Sequence, residues 1–183
     1  GAAAAAASNT LTVTLDDEVT NGAAVDLADL SIKQVKTVTV NAAADASTDG
    51  TKSNLTSLAV TANNADLTIA GGANGVTLTT GITVGAAGAY GDVTFTGSGA
   101  LTHGAVTANV VTYDASAMTG AVTMSGVISG NVTTIKTGSA NDTVLAGAVT
   151  ATAINTAGGN DTVQLFNDYG TKTVTLDGGA GTD

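Results

Sequence analysis

Three acidic residues in the last third of the sequence stand at one fixed offset from an apolar one: Ile135 to Asp142, Ile154 to Asp161 and Leu176 to Asp183 are each seven residues apart. Each aspartate closes a turn of small residues, reading Thr137-Gly-Ser-Ala-Asn-Asp142, Thr156-Ala-Gly-Gly-Asn-Asp161 and Gly178-Gly-Ala-Gly-Thr-Asp183. The chemistry open to such turns is the holding of a hard cation. Calcium takes about six to eight oxygen ligands at about 2.3–2.6 Å, and a glycine-rich turn offers backbone carbonyls while its Asp offers a carboxylate. Stacked turns can share an ion, and identical carboxylates stacked without one repel, so the metal becomes a partner in folding. Asn-Asp pairs are also good turn formers with no ion at all. Turn formation alone does not require three aspartates to keep one phase, whereas ion sharing does, and calcium is the expected cofactor.

Other chemistry is scarce. His103, in Leu101-Thr-His-Gly104, has no second histidine to join and is expected in a surface turn. Asp16-Asp-Glu18 reads as a solvated strand end. Asn54, Asn131, Asn141 and Asn160 each open an Asn-x-Thr triplet, the glycosylation acceptor pattern, but two of these overlap the acidic turns and the match reads as incidental. A zinc protease needs paired His, a serine triad needs His and an acid, and solenoid lyases that handle acidic sugars rely on basic residues. With one His, no Cys and no Arg, none of these is assembled, and the segment is not expected to be an enzyme.

The composition narrows the rest. The 183 residues are 43% hydrophobic yet 3% aromatic, mostly Ala and Val with 24 Gly and neither Pro nor Trp. Burial must then come from many small contacts, which suits a thin, elongated core. With 11% of residues charged, the chain lacks the profile of a disordered one. A net charge of −10, carried with five Lys and no Arg, removes counterion release and the bidentate grip on phosphate, so nucleic acid is not an expected partner and divalent cations are. The absence of Cys excludes disulfides and cysteine zinc sites. No stretch approaches the roughly 20 apolar residues of a membrane span, and no signal peptide opens the chain. A poly-Ala start without Met, and an end at Asp183 inside a Gly-rich motif, give the expectation of a fragment of something longer.

The elements that must position the turns are strands. Apolar residues alternate with Thr in Leu11-Thr-Val-Thr-Leu15, Thr37-Val-Thr-Val40, Leu67-Thr-Ile69, Val76-Thr-Leu78, Val93-Thr-Phe95, Val122-Thr-Met124 and Val174-Thr-Leu176, the mark of half-buried β-structure. Gly, Asn, Asp and Ser clusters between them supply turns. One short helix is expected over residues 23–36 and a loop over 41–57, giving an N-terminal β-rich unit over 1–57. From about residue 58 the last apolar residues of the strands, Leu78, Phe95, Tyr113, Ile135, Ile154 and Leu176, are separated by 17, 18, 22, 19 and 22 residues. A period near 20 in phase with a turn motif is that of a solenoid, whose core exists only when coils stack. An antiparallel sandwich is the alternative, but it needs no such phase. The expected fold is therefore all-β, a parallel β-solenoid (β-helix or β-roll) over 58–183 with its calcium turns in 131–183. The coil from Tyr113 keeps the frame but has Gly120 in the Asp position and Val122 in the apolar slot.

The three turns resemble the G-G-x-G-x-D-x-U-x repeat of the RTX (repeats-in-toxin) family of calcium-binding β-rolls. The third copy matches every position open to it. Thr137 and Ala140 replace the first and last motif glycines in the first copy, and Thr156 and Ala157 the opening pair in the second. The resemblance implies that Asp142, Asp161 and Asp183 ligate calcium together with turn carbonyls at Gly138, Ala140, Gly159, Gly178, Gly179 and Gly181, and that Val144 and Val163 point into the core. Richness in Ala, Thr, Val and Gly with few aromatics and an acidic balance is similar to that of surface-layer (S-layer) proteins that combine RTX-like turns with β-solenoids. That implies a secreted, extracellular structural protein of the bacterial cell surface, exported by type I secretion, that self-assembles as a lattice or filament. Cell-surface polysaccharide would be a further partner through regions outside this segment. The alternative is a spacer or stalk segment of a secreted RTX adhesin or motility-associated surface protein. Chelation of calcium is expected to disorder residues from about 131 onward first.

Overall fold

The structure is a computed structural model, and it describes residues 9–15, 26–42, 53–61, 64–86, 88–107, 109–149, 152–166 and 172–183. Among these residues every regular element is a strand. The first eight are β1 (Thr10–Thr14), β2 (Asp26–Lys33), β3 (Thr37–Asn41), β4 (Ser53–Thr61), β5 (Asp66–Gly71), β6 (Val76–Val84), β7 (Gly91–Gly97) and β8 (Leu101–Thr107). Then follow β9 (Val110–Met118), β10 (Val122–Met124), β11 (Ile128–Gly130), β12 (Thr134–Lys136), β13 (Thr143–Val149), β14 (Thr152–Asn155), β15 (Thr162–Leu165) and β16 (Val174–Asp177).

Consecutive strands never share a sheet up to β10. One sheet runs β1-β3-β5-β7-β9-β12-β14-β16, and the other holds β2, β4, β6, β8, the pair β10 and β11, then β13 and β15. The chain crosses the core at each turn and returns one rung further on, so the paired strands are parallel throughout. Stacked coils of this kind form a parallel β-solenoid. The period-two alternation sets its section: Val38, Val40, Leu67, Ile69, Val93 and Phe95 from the first sheet meet Leu55, Val60, Leu78, Ile82, Leu101 and Val106 from the second, all buried. The threonines between them face outward, forming in-register rows such as Thr12, Thr39, Thr68 and Thr94 on one sheet. A longer row, Thr77, Thr102, Thr123, Thr143 and Thr162, crosses the other.

Five expectations need correction. Residues 26–33 of the expected helix form β2, whose Leu27, Leu30 and Ile32 lie in register with Leu55, Leu58 and Val60 of β4; a neighbouring parallel edge satisfies their backbone and outweighs the partial helical spacing. Residues 23–25 lie outside the described residues, as does 43–52 of the expected loop, while Ser53 opens β4. The solenoid does not begin near residue 58, because β1 to β4 already belong to the two sheets. Its rungs are longer there: Val13, Val40, Ile69 and Phe95 are ladder neighbours separated by 27, 29 and 26 residues. Downstream, Tyr113, Ile135, Ile154 and Leu176 are separated by 22, 19 and 22 as read from the sequence, whereas Leu78 sits on the opposite sheet beside His103. Finally, His103 is no surface residue but a buried member of β8. Asp16, Asp17 and Glu18 lie outside the described residues.

Candidate metal centre

The three turns connect strands of the first sheet to the second, from β12 to β13, from β14 to β15 and onward from β16, and they stack in register. Gly158 and Ala180 form a parallel bridge, Gly159 N–H donates to the Ala180 carbonyl at 2.9 Å and Ala180 N–H to the Ala157 carbonyl at 3.0 Å. The approach is so close that it explains two motif positions. A Cβ on Gly181 would fall on the Gly159 carbonyl oxygen, one on Gly159 on that of Ala140, and one on Gly179 on that of Ala157. Gly179 also has φ of 77°, and Ala157, its counterpart one coil earlier, adopts 60° despite its Cβ. Their N–H groups are held by the preceding Asp177 and Asn155 side chains at 3.1 and 2.9 Å. Gly138 stacks on the Met118 carbonyl, and Gly178 backs on the Asp183 carboxylate.

Asp142, Asp161 and Asp183 form one column. Asp142 Oδ1 accepts from Val122 N–H at 2.7 Å, Asp161 Oδ1 from Asp142 N–H at 2.8 Å, and Asp183 Oδ1 from Asp161 N–H at 3.1 Å. Every carboxylate therefore reaches back to the coil before it. The adjoining asparagines do the reverse: Asn141 Oδ1 accepts from Asn160 N–H at 2.8 Å and Asn160 Oδ1 from Thr182 N–H at 3.0 Å, each reaching to the coil after.

The ladder places Asp142 beside Val122 and not beside Gly120, because Thr143 pairs with Thr123. Strand β9 runs two residues further than the count from Tyr113 allowed, so Met124 takes the apolar slot next to Val144. Upstream the same column contains Ser53, Val76, Leu101 and Val122, all buried. The aspartates thus occupy core positions, with Asp142 at 2% and Asp161 at 5% exposure and Asp183 exposed. The signal for this was in the sequence as Val76-Thr-Leu78, Leu101-Thr-His103, Val122-Thr-Met124, Asp142-Thr-Val144 and Asp161-Thr-Val163, which share the central threonine. Val144 is fully buried and Val163 packs against the core in part.

This location leaves oxygens without partners. Asp142 Oδ2, Asp161 Oδ2 and the buried Thr137 hydroxyl complete no hydrogen bond of ordinary geometry. Burial pushes the Asp142 carboxyl above the usual range; the Thr137 hydroxyl and the Val122 and Gly138 N–H groups offset this in part, and the Asp161 charge adds to it. Carboxylates about 5 Å apart, one rung, repel by about 3 kcal/mol at an effective dielectric of about 20. A divalent cation would relieve both the repulsion and the missing partners, and Thr137, at a position where glycine was expected to matter, supplies a hydroxyl that sequence reasoning passed over. A pocket of about 290 Å³ lined by Thr156, Asp161, Val163, Leu176, Gly178 and Asp183 adjoins the last two turns. Among the described residues no three carboxylate or imidazole groups converge, so turn carbonyls and water would have to complete a calcium shell. The residues present fit such an ion on these terms. The chain matches no protein-family model, no curated protein and no solved structure.

Proposed function

We propose that this chain is the β-solenoid of a secreted bacterial cell-surface protein of the S-layer kind, self-assembling and stiffened by calcium held in its RTX-like turns. The observation that carries the calcium reading is the pair of buried oxygens that complete no hydrogen bond of ordinary geometry, Asp142 Oδ2 and Asp161 Oδ2, in successive coils of one column. Calcium sites built from few carboxylates and many carbonyls have affinities suited to extracellular concentrations, in the range of about 10⁻⁴–10⁻³ M. Such turns would stay loose before export and tighten outside. A structural role is supported by the outer faces, where rows of short threonine side chains cover both sheets and leave rigidity and repetition as what the fold offers.

Two measurements test the reading. Calcium added to chelator-treated protein is expected to raise the melting temperature and to protect amides from about residue 131 onward; no change in either overturns the calcium assignment. Electron microscopy with and without calcium tests assembly, with sheets or filaments expected in calcium. Protein that stiffens in calcium but stays monomeric supports the spacer or stalk of an adhesin in place of the coat.

A further inference from the structure

One polar cluster lies inside the apolar core and takes no part in the acidic turns. His103 of β8 and Tyr113 of β9 come from opposite sheets and meet between them, with imidazole Nε2 2.8 Å from the Tyr113 hydroxyl and Nδ1 2.7 Å from the Gly104 carbonyl. Both side chains have 0% exposure. The Phe95 ring stacks on the imidazole at 5.7 Å and 4°, and the Tyr113 ring lies 5.1 Å from Phe95 and 5.5 Å from His103. A carbonyl can only accept, so Nδ1 carries the hydrogen, and Nε2 is left with a lone pair that accepts the tyrosine proton. The geometry holds the neutral imidazole in one tautomer.

A second proton has no place in this arrangement. On Nε2 it would confront the hydroxyl hydrogen of Tyr113, which would have to rotate and find another acceptor in an enclosed site. The ladder neighbours of His103, Leu78 on β6 and Met124 on β10, are apolar, as is Phe95 on β7. The acid that bears on the cluster is Asp142, preceding β13, acting on Tyr113. Burial lowers the imidazole pKa from 6.5 to about 4, with the Gly104 carbonyl opposing part of that change.

We propose that the His103–Tyr113 pair is an acid-sensitive clasp between the two sheets, closed while the imidazole is neutral and forced open when it takes a proton. The unfolded chain binds that proton before the folded one does. The clasp's contribution is therefore complete above pH about 6.5, declines as the pH falls and is gone near pH 4, a change of about 300-fold in the folding equilibrium.

His103 is the single histidine of the sequence, so its imidazole signals in a two-dimensional NMR titration of the whole chain need no assignment. We expect them to remain those of the neutral Nδ1–H tautomer from pH 8 to about 5. Urea midpoints should fall between pH 6.5 and 4 in the wild type and in Asp142→Asn alike, and the fall should largely vanish in His103→Gln, whose amide can replace both hydrogen bonds but cannot take a proton. An imidazole that titrates near 6.5 in the folded wild type overturns the proposal without any variant. A His103→Gln protein with the full wild-type pH dependence overturns it equally.

Discussion

Asp142 stands where Val76, Leu101 and Val122 stand in earlier coils, and its cost and its use follow from that position. Its Oδ1 is satisfied by Val122 N–H while its buried Oδ2 completes no hydrogen bond of ordinary geometry. In chelator, Asp142→Asn should leave the melting temperature unchanged or raise it, because the amide oxygen keeps the Val122 bond and no charge is buried beside Asp161, a balance within about 1 kcal/mol. In calcium the same variant should lose most of the ion-dependent gain. A second residue carries local strain: Ala157, at φ of 60°, takes a conformation that disfavours a side chain by about 1–2 kcal/mol. Ala157→Gly is expected to raise stability by about 0.5–1 kcal/mol after the greater freedom of unfolded glycine is counted, measured by urea unfolding. The aspartates were legible in the sequence because three of them share one offset from an apolar residue. Thr137 was not, since only burial separates its hydroxyl from the many outward threonines, and His103 was misplaced because a lone imidazole beside Gly104 looks like a turn until Tyr113 is brought opposite it.

At the scale of elements, most strands were legible from alternation, and pairing was legible from Tyr113 through Ile135 and Ile154 to Leu176, whereas Phe95 was miscounted, since Val93 is the residue beside Tyr113 and a register shift follows it. Leu78 was counted on the wrong sheet because a coil that crosses the core twice presents two similar apolar runs per turn, and nothing local says which sheet a run joins. Residues 26–33 misled for a related reason: Leu27, Leu30 and Ile32 have spacings that suit either a helix face or a bulged strand, and the partner strand β4 decides. The turns are a tighter case. Gly159→Ala would drive a Cβ into the Ala140 carbonyl oxygen at φ of 124°, and we expect a loss of at least about 2 kcal/mol. Hydrogen exchange should show that loss in β13 to β16 with β3 to β8 still protected. Ile135, fully buried between Tyr113 and Ile154 in its ladder, is expected to cost about 2–5 kcal/mol as Ile135→Ala by leaving a cavity.

The whole molecule tapers. Rungs of 26 to 29 residues in the first sheet give way to rungs of 19 to 22, and after the nine-residue β9 the strands have three or four residues except β13, which has seven. The acidic column begins where the rungs shorten, and its aspartates replace the buried Val76, Leu101 and Val122 of earlier coils, so the candidate ion sits where that column no longer contributes apolar burial. Chelation is therefore expected to strip amide protection from about residue 131 onward while the earlier coils keep theirs, and uniform loss along the chain would contradict this division of labour.

The opposed reach of the Asn and Asp side chains has a mechanical consequence. Since Asp161 grips the coil before it and Asn160 the coil after it, a coil at the margin of the stack holds by one set of bonds and an interior coil by two. Tension applied along the chain should therefore unwind the coils of the acidic turns one loop at a time from whichever margin is loaded, each releasing 19 to 22 residues, or about 70 Å of slack, so that the protein yields in small steps and not in one rupture.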